Sequence, residues 1–233
     1  MTDEVLNATR LLFSPGQVVE VRAITDDGMA SGYFNSAEEL AVKVETLDSL
    51  PNVLGIYVTL NEVNPSLFAR RANRIKVRLQ KKDATTADAD IIRRRWFPVD
   101  IDPVRPSGVS STDAEHSAAI TTARSVTEFL TGIGFPAPVL ADSGNGAHLL
   151  YRIDLPNDEA GKALVKQCLD VLAAIFNDKL ATIDTANYNA ARIWKLYGTM
   201  SRKGDNTSDR PHRRSAIISV PAVPAIASKE VME

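Results

Sequence analysis

A single cysteine, Cys168, in 233 residues excludes both a disulfide framework and a thiolate zinc cluster. No apolar run approaches the roughly 20 residues that a bilayer span demands. The chain opens on Thr2, Asp3 and Glu4 rather than on a basic-then-apolar leader, so secretion is not expected and a cytoplasmic protein without a membrane partner is. No glycine run ends in Gly-Lys-Ser/Thr, and no third glycine opens a helix, which removes the Walker loop and the dinucleotide fingerprint. Neither sign of charge dominates, since 27 bases stand against 29 acids. With 44% hydrophobic residues, the chain can bury a core as one domain or two tightly joined lobes.

The balanced total conceals segregation. Residues 1–64 hold ten acids and three bases, whereas 65–96 hold ten bases and three acids, and 192–214 hold seven bases and two acids. Such clusters are the footprint expected for polyphosphate or nucleic acid, although a solvated basic face gives the same pattern.

Periodicity and end signals predict alternating strands and helices. Gln17–Ile24 and Leu54–Leu60 read as strands, with Asp27-Gly28 as a turn. Ser36-Ala37-Glu38-Glu39 opens a helix through Leu47, and Pro65–Arg74 reads as helical. Residues 81–90 read as a polar loop. Thr112-Asp113-Ala114-Glu115 opens a helix ending near Gly132, Pro138–Ala141 and Ala147–Ile153 read as strands about a sharp turn, and a long helix is expected over Asn157–Phe176. Strands near Ile193–Tyr197 and Ser215–Val220 complete an α/β or α+β pattern, and residues 221–233 are expected to be a tail, interface or linker.

Within the apolar segment Phe97–Pro103, Asp100 and Asp102 stand two residues apart. On a strand they share a face, with Ile101 turned away. Side-by-side carboxylates repel, so the pair predicts a divalent-cation site. The turn Ser143-Gly144-Asn145-Gly146, followed by Ala147-His148, could aim backbone N–H groups and the histidine at an anion. The same glycines also suit a plain hairpin, and the histidine a structural place in a strand. Asp184 offers a third carboxylate or a helix cap, and Arg192, Lys195, Arg202, Lys203 and Arg213 follow as phosphate-seeking cations.

The order Asp100-x-Asp102, Ser143-Gly144-x-Gly146-x-His148, Asp184, then Arg192 and Lys195 in a run ending Tyr197-Gly198-Thr199, resembles the archaeo-eukaryotic primase superfamily. Within that superfamily it is most similar to the primase-polymerase domains of phages, plasmids and other mobile replicons, over roughly residues 54–215. The resemblance implies an N-terminal α/β lobe, about 1–95, packed on a catalytic sheet like that of the RNA-recognition motif, about 96–220. It implies that Asp100, Asp102 and Asp184 bind two ions, Mg2+ or Mn2+, and that Ser143 and His148, with the turn residues Gly144, Asn145 and Gly146, hold the triphosphate. More loosely, Arg192, Lys195, Arg202, Lys203 and Arg213 join them. Two departures stand out: no zinc-binding module is present, and no helicase motor follows.

The resemblance further implies template-dependent nucleotide transfer to a 3′-hydroxyl with release of pyrophosphate, as DNA primase and polymerase in replication. The partners would be a single-stranded DNA template, NTP or dNTP, and a helicase acting in trans or on a missing C-terminal part. The setting would be a bacterial or archaeal cell or a phage-infected host. Arg70, Arg71, Arg74, Arg78, Arg93 and Arg94 are expected to track the template backbone, with Tyr57, Asn61 and Trp96 as candidates to touch a base or sugar. A metal-dependent nuclease would also use clustered carboxylates. A catalytically silent DNA-binding replication initiator would use the basic clusters alone.

Overall fold

Helix α1 (Thr2–Leu12) carries Asp3 and Glu4 in its first turn and Arg10 in its last, matching the helix dipole at both ends. The protein is described here from a computed structural model covering residues 2–233. Strands β1 (Val19–Thr25) and β2 (Gly28–Phe34) form a hairpin, with Gly28 at φ 134° permitting the tight reversal. Helix α2 (Ala37–Asp48) follows, capped by the Ser36 hydroxyl, which accepts the Glu39 N–H at 3.2 Å. Strand β3 (Val53–Thr59) pairs with the free side of β1.

The chain then crosses to a second sheet. Strands β4 (Glu62–Val63) and β5 (Ile91–Pro103) precede helix α3 (Asp113–Gly132), whose Thr112 and Glu115 form a reciprocal capping box. The hairpin β6 (Val139–Asp142) and β7 (Ala147–Pro156) is followed by helix α4 (Glu159–Phe176) and strand β8 (Ala181–Ile183). Strand β9 (Ile193–Lys195) returns to the first sheet. Strands β10 (Met200–Ser201) and β11 (Arg213–Arg214) form a small pair, β12 (Ala216–Ser219) joins the second sheet, and α5 (Lys229–Met232) ends the chain.

The fold is therefore α+β, built on curled antiparallel sheet that forms a half-barrel. One sheet has the order β2-β1-β3-β9, and the other β12-β6-β7-β5-β4 with β8 paired to β5. Alternation along β5 and β7 sends Phe97, Val99, Ile101, Leu149 and Tyr151 into a core under α3 and α4. Trp96 and Leu150 go instead into the core shared by α1, α2 and the first sheet. The opposite face of the β5–β7 pair is thus left to meet the first sheet, and the candidate site lies there.

Three expectations change. Strand β2 was not anticipated, because Gly28 and Gly32 dilute its alternation. The helix expected over Pro65–Arg74 is a 3-10 turn that stops at Arg70. Beyond it the backbone bonds to the edge of β2 rather than to itself: Lys76 and Ser31 exchange N–H to O=C bonds at 2.9 Å, and Leu79 N–H reaches Met29 O at 2.8 Å. Finally, the tail past 221 docks on the second sheet and α4. Ala227 N–H donates to Arg152 O at 2.8 Å, and Met232 packs into the α3–α4 core.

Candidate functional site

The period of β5 turns Asp100 and Asp102 to the open face while Ile101 is fully buried behind them. Antiparallel register sets His148 of β7 directly opposite Asp100, with Nε2 3.3 Å from the Asp100 Oδ1. Both carboxylates and His148 line a cavity of about 300 Å3, together with Ser143, Asn145, Arg192, Lys195 and Lys203. Its remaining wall includes Tyr57 from β3, Trp194 from β9 and Ser201 from β10. The cavity therefore lies in the seam between the two sheets, which residues distant in sequence reach from both sides.

Charge divides the two carboxylates. Burial alone would raise Asp100, but the His148 ring against it, and Lys203 and Arg192 further off, outweigh burial and hold it below the ordinary aspartate range. Asp102 is raised by burial and by the neighbouring Asp100 charge, which Lys203 and Arg105 offset only in part. Arg105 Nη1 lies 3.3 Å from Asp102 Oδ1. On the opposite wall Lys195 is buried and donates from Nζ to Met200 O at 2.6 Å. Burial pushes its ammonium down to about 7, against the pull of Asp48. Lys203 has an exposed side chain and no ion-pair partner among the described residues.

The Ser143–Gly146 turn is built differently from the expected anion nest. Its N–H groups are already engaged: Gly144 N donates to Asp142 Oδ1 at 2.6 Å and Gly146 N to Ser143 Oγ at 2.9 Å. Asn145 is buried, accepting Ser111 N–H and donating to Ser201 Oγ, both at 2.9 Å, so it locks the turn to two other segments. Gly144, at φ 90°, lies against Ser201 and the Arg213 carbonyl. Gly146 lies so close to β5 that a Cβ there would overlap the Ile101 carbonyl oxygen. What the turn sets is the approach of β7 to the strand bearing the carboxylates.

Asp184 follows β8, and its N–H donates to Asp100 O at 2.9 Å. Its side chain is engaged locally and is not part of the cavity lining. One oxygen accepts Ala186 N–H at 2.9 Å as a cap, and the other lies 3.2 Å from Arg192 Nη2. Among the described residues no three carboxylate, histidine or cysteine side chains converge as a metal-holding group. Asp100 and Asp102 alone still supply two hard oxygen donors whose mutual repulsion a divalent ion would relieve. Arg202 and Arg213 lie outside the cavity lining: Arg202 holds Asp48 O and Val53 O at 2.8 Å each, and Arg213 holds Ser111 O at 2.7 Å and Asp113 at 2.6 Å.

Neither a family model nor a curated protein matches the chain.

Most of the arginines expected on a template track are committed to the fold. Arg71 is buried, 3.5 Å from Glu20 and donating to Ser31 Oγ and Ala84 O. Arg94 is buried and donates to Tyr188 O at 2.7 Å. Arg70 contacts Asp90 at 3.5 Å, Arg78 pairs with Asp27 at 2.6 Å, and Arg93 forks onto Asp154. Arg74 alone of the six is exposed without an ion-pair partner among the described residues. Asn61 is likewise structural, bridging Ala190 O and the Arg95 N–H, and buried Trp96 donates to Leu12 O with Arg152 over its ring. Tyr57 does face the cavity.

Two aromatic residues that hold His148, Trp194 on the cavity wall and Tyr197 behind it, were assigned no role of their own from the sequence. Trp194 stacks on His148 at 4.1 Å between ring centroids, and the Tyr197 hydroxyl lies 3.0 Å from His148 Nδ1. Their only signal is an i, i+3 aromatic pair beside Lys195, which does not disclose a partner some 50 residues earlier.

Proposed function

We propose that the chain is a template-directed nucleotidyltransferase of the primase-polymerase kind, with the archaeo-eukaryotic primase fold. It would join NTP or dNTP to a 3′-hydroxyl on a single-stranded DNA template, release pyrophosphate and serve as DNA primase and polymerase in replication. The observation that carries this reading is the convergence on one cavity of the carboxylates Asp100 and Asp102 with the cations Lys195, Lys203 and Arg192 and with His148. That combination suits a substrate with a metal-bound reacting end and a polyanionic leaving group.

Asp100 and Asp102 would hold Mg2+ or Mn2+. Such an ion lowers the pKa of a hydroxyl and offsets phosphate charge. Lys203, exposed and without an ion-pair partner among the described residues, meets a phosphate without first breaking an ion pair, whereas Arg192, also exposed, must loosen from Asp184. That release would also free the Asp184 carboxylate, as a second ion requires. A nuclease would need the carboxylates but not the several cations, and a helicase, where needed, would act in trans or from a further part of the polypeptide.

A gel assay with single-stranded template, nucleotides and Mg2+ or Mn2+ tests the reading. Extended or newly initiated products are expected. Shortened template would indicate a nuclease, and a mobility shift without chemistry would indicate a silent DNA-binding module. Asp100→Ala combined with Asp102→Ala must abolish extension; unchanged extension would overturn the site assignment.

A further inference from the structure

Buried hydroxyls and ring nitrogens need partners for every proton they carry, and behind the cavity this requirement fixes the direction of a chain of hydrogen bonds. Trp194 Nε1, which can only donate, lies 2.9 Å from the Tyr197 hydroxyl. The oxygen of Tyr197 therefore accepts there. Tyr197 is almost fully buried, and burial pushes its hydroxyl far up, so it keeps its proton. The one acceptor within reach of that proton is His148 Nδ1, at 3.0 Å. Were Nδ1 itself protonated, the Tyr197 proton would have no partner in a closed apolar setting.

We infer that Trp194 and Tyr197 are positioning residues that fix the His148 ring, with Nδ1 accepting from the Tyr197 hydroxyl and Nε2–H turned to the cavity. Nδ1 is then an acceptor, and Nε2, 3.3 Å from Asp100 Oδ1, carries the donor. Trp194 also packs against the imidazole, with 4.1 Å between ring centroids and a tilt of 38°, which limits rotation of the ring. His148 consequently offers the cavity a hydrogen-bond donor to an anionic oxygen at Nε2. The tautomer stands on the geometry alone, while its use in holding a phosphate oxygen rests on the proposed nucleotide-transfer function.

Nitrogen-15 NMR of the full-length protein at neutral pH tests both halves, because only His116, His148 and His212 contribute and His148→Gln identifies the relevant signals. Wild type is expected to show a His148 proton on Nε2 and none on Nδ1. A proton on Nδ1, alone or together with one on Nε2, would overturn the inference. Tyr197→Phe, which removes only the hydroxyl, should shift the His148 signals toward a mixture of tautomers, and Trp194→Phe should do likewise by freeing Tyr197 to accept. Retention of the wild-type pattern in both would show that neither residue positions the ring. In extension assays Tyr197→Phe is expected to raise the nucleotide KM about three- to tenfold, with kcat changed less than twofold, the size of one lost hydrogen bond. An unchanged KM would overturn the phosphate half. Absence of product from wild type would remove the nucleotide-transfer reading, and the ring signals would still decide the tautomer.

Discussion

Gly146 and Gly132 show how much one methyl group depends on its place. At Gly146 an added Cβ would meet the Ile101 carbonyl and, at 3.2 Å, the Pro103 ring, both on the strand that bears Asp100 and Asp102. The neighbour is backbone and cannot turn aside, so Gly146→Ala should destabilise by about 1–3 kcal/mol and displace the carboxylates. Gly132, the last residue of α3, has open space around it, so Gly132→Ala should stabilise by about 0.5–1 kcal/mol. Urea unfolding of the two variants checks the contrast, and equal effects would contradict it. The carboxylate pair was legible in the sequence because strand period alone decides which faces Asp100 and Asp102 share. The jobs of Asn145, Trp194 and Tyr197 were not, because each depends on partners brought in by the fold.

Among elements, the connection between Arg70 and Ile91 owes its course to one buried carboxylate. Glu20 on β1 pairs with Arg22 at 2.8 Å and Arg71 at 3.5 Å, and accepts Ser31 Oγ–H at 2.5 Å and Thr86 N–H at 2.9 Å. Burial alone would raise its carboxyl, but Arg22, Ser31 and Thr86 outweigh burial and hold it below the ordinary glutamate range. A depressed folded-state pKa gives stability that is present above the unfolded value, about 4.3, and is lost as pH falls through the folded value. Glu20→Gln should cost about 3–5 kcal/mol at pH 7 by leaving Arg22 and Arg71 without a counter-charge. It should also flatten the fall of the urea midpoint below about pH 4.3 and open residues 79–85 to proteolysis. An unchanged acid limb would contradict this account. Helices α2 and α3 were readable because Ser36, Thr112 and Glu115 announce their starts locally. The 71–90 connection was not, since its bonds go to β2 and to Glu20, neither of which its own sequence names.

Across the whole molecule, the segregation of charge along the chain largely disappears on folding. The acid-rich first 64 residues supply Glu20, Asp27 and Glu62, which meet Arg71, Arg78 and Arg95 of the basic segment. The second basic segment is similarly spent, with Arg214 on Asp48 and Arg210 on Glu115. Of the exposed bases in these segments, Arg74, Lys81, Lys82 and Lys203 remain without ion-pair partners among the described residues, while Arg94 and Lys195, also unpaired, are buried on backbone carbonyls. Binding to single-stranded DNA should therefore show a log–log salt slope near about −3, rather than the roughly −7 that ten free bases would give. Fluorescence anisotropy over a salt series measures it, and the steeper slope would return the first cluster to the template. The most direct test of the account as a whole is single-turnover addition of one labelled nucleotide to a primed template, comparing wild type with Asp102→Asn in Mn2+. Wild type should add the matched nucleotide and reject the mismatched one, with the rate in Asp102→Asn down at least about a hundredfold and template affinity unchanged within about twofold. Addition that ignores the template base, or survives Asp102→Asn, would contradict the claim that this carboxylate pair joins nucleotides.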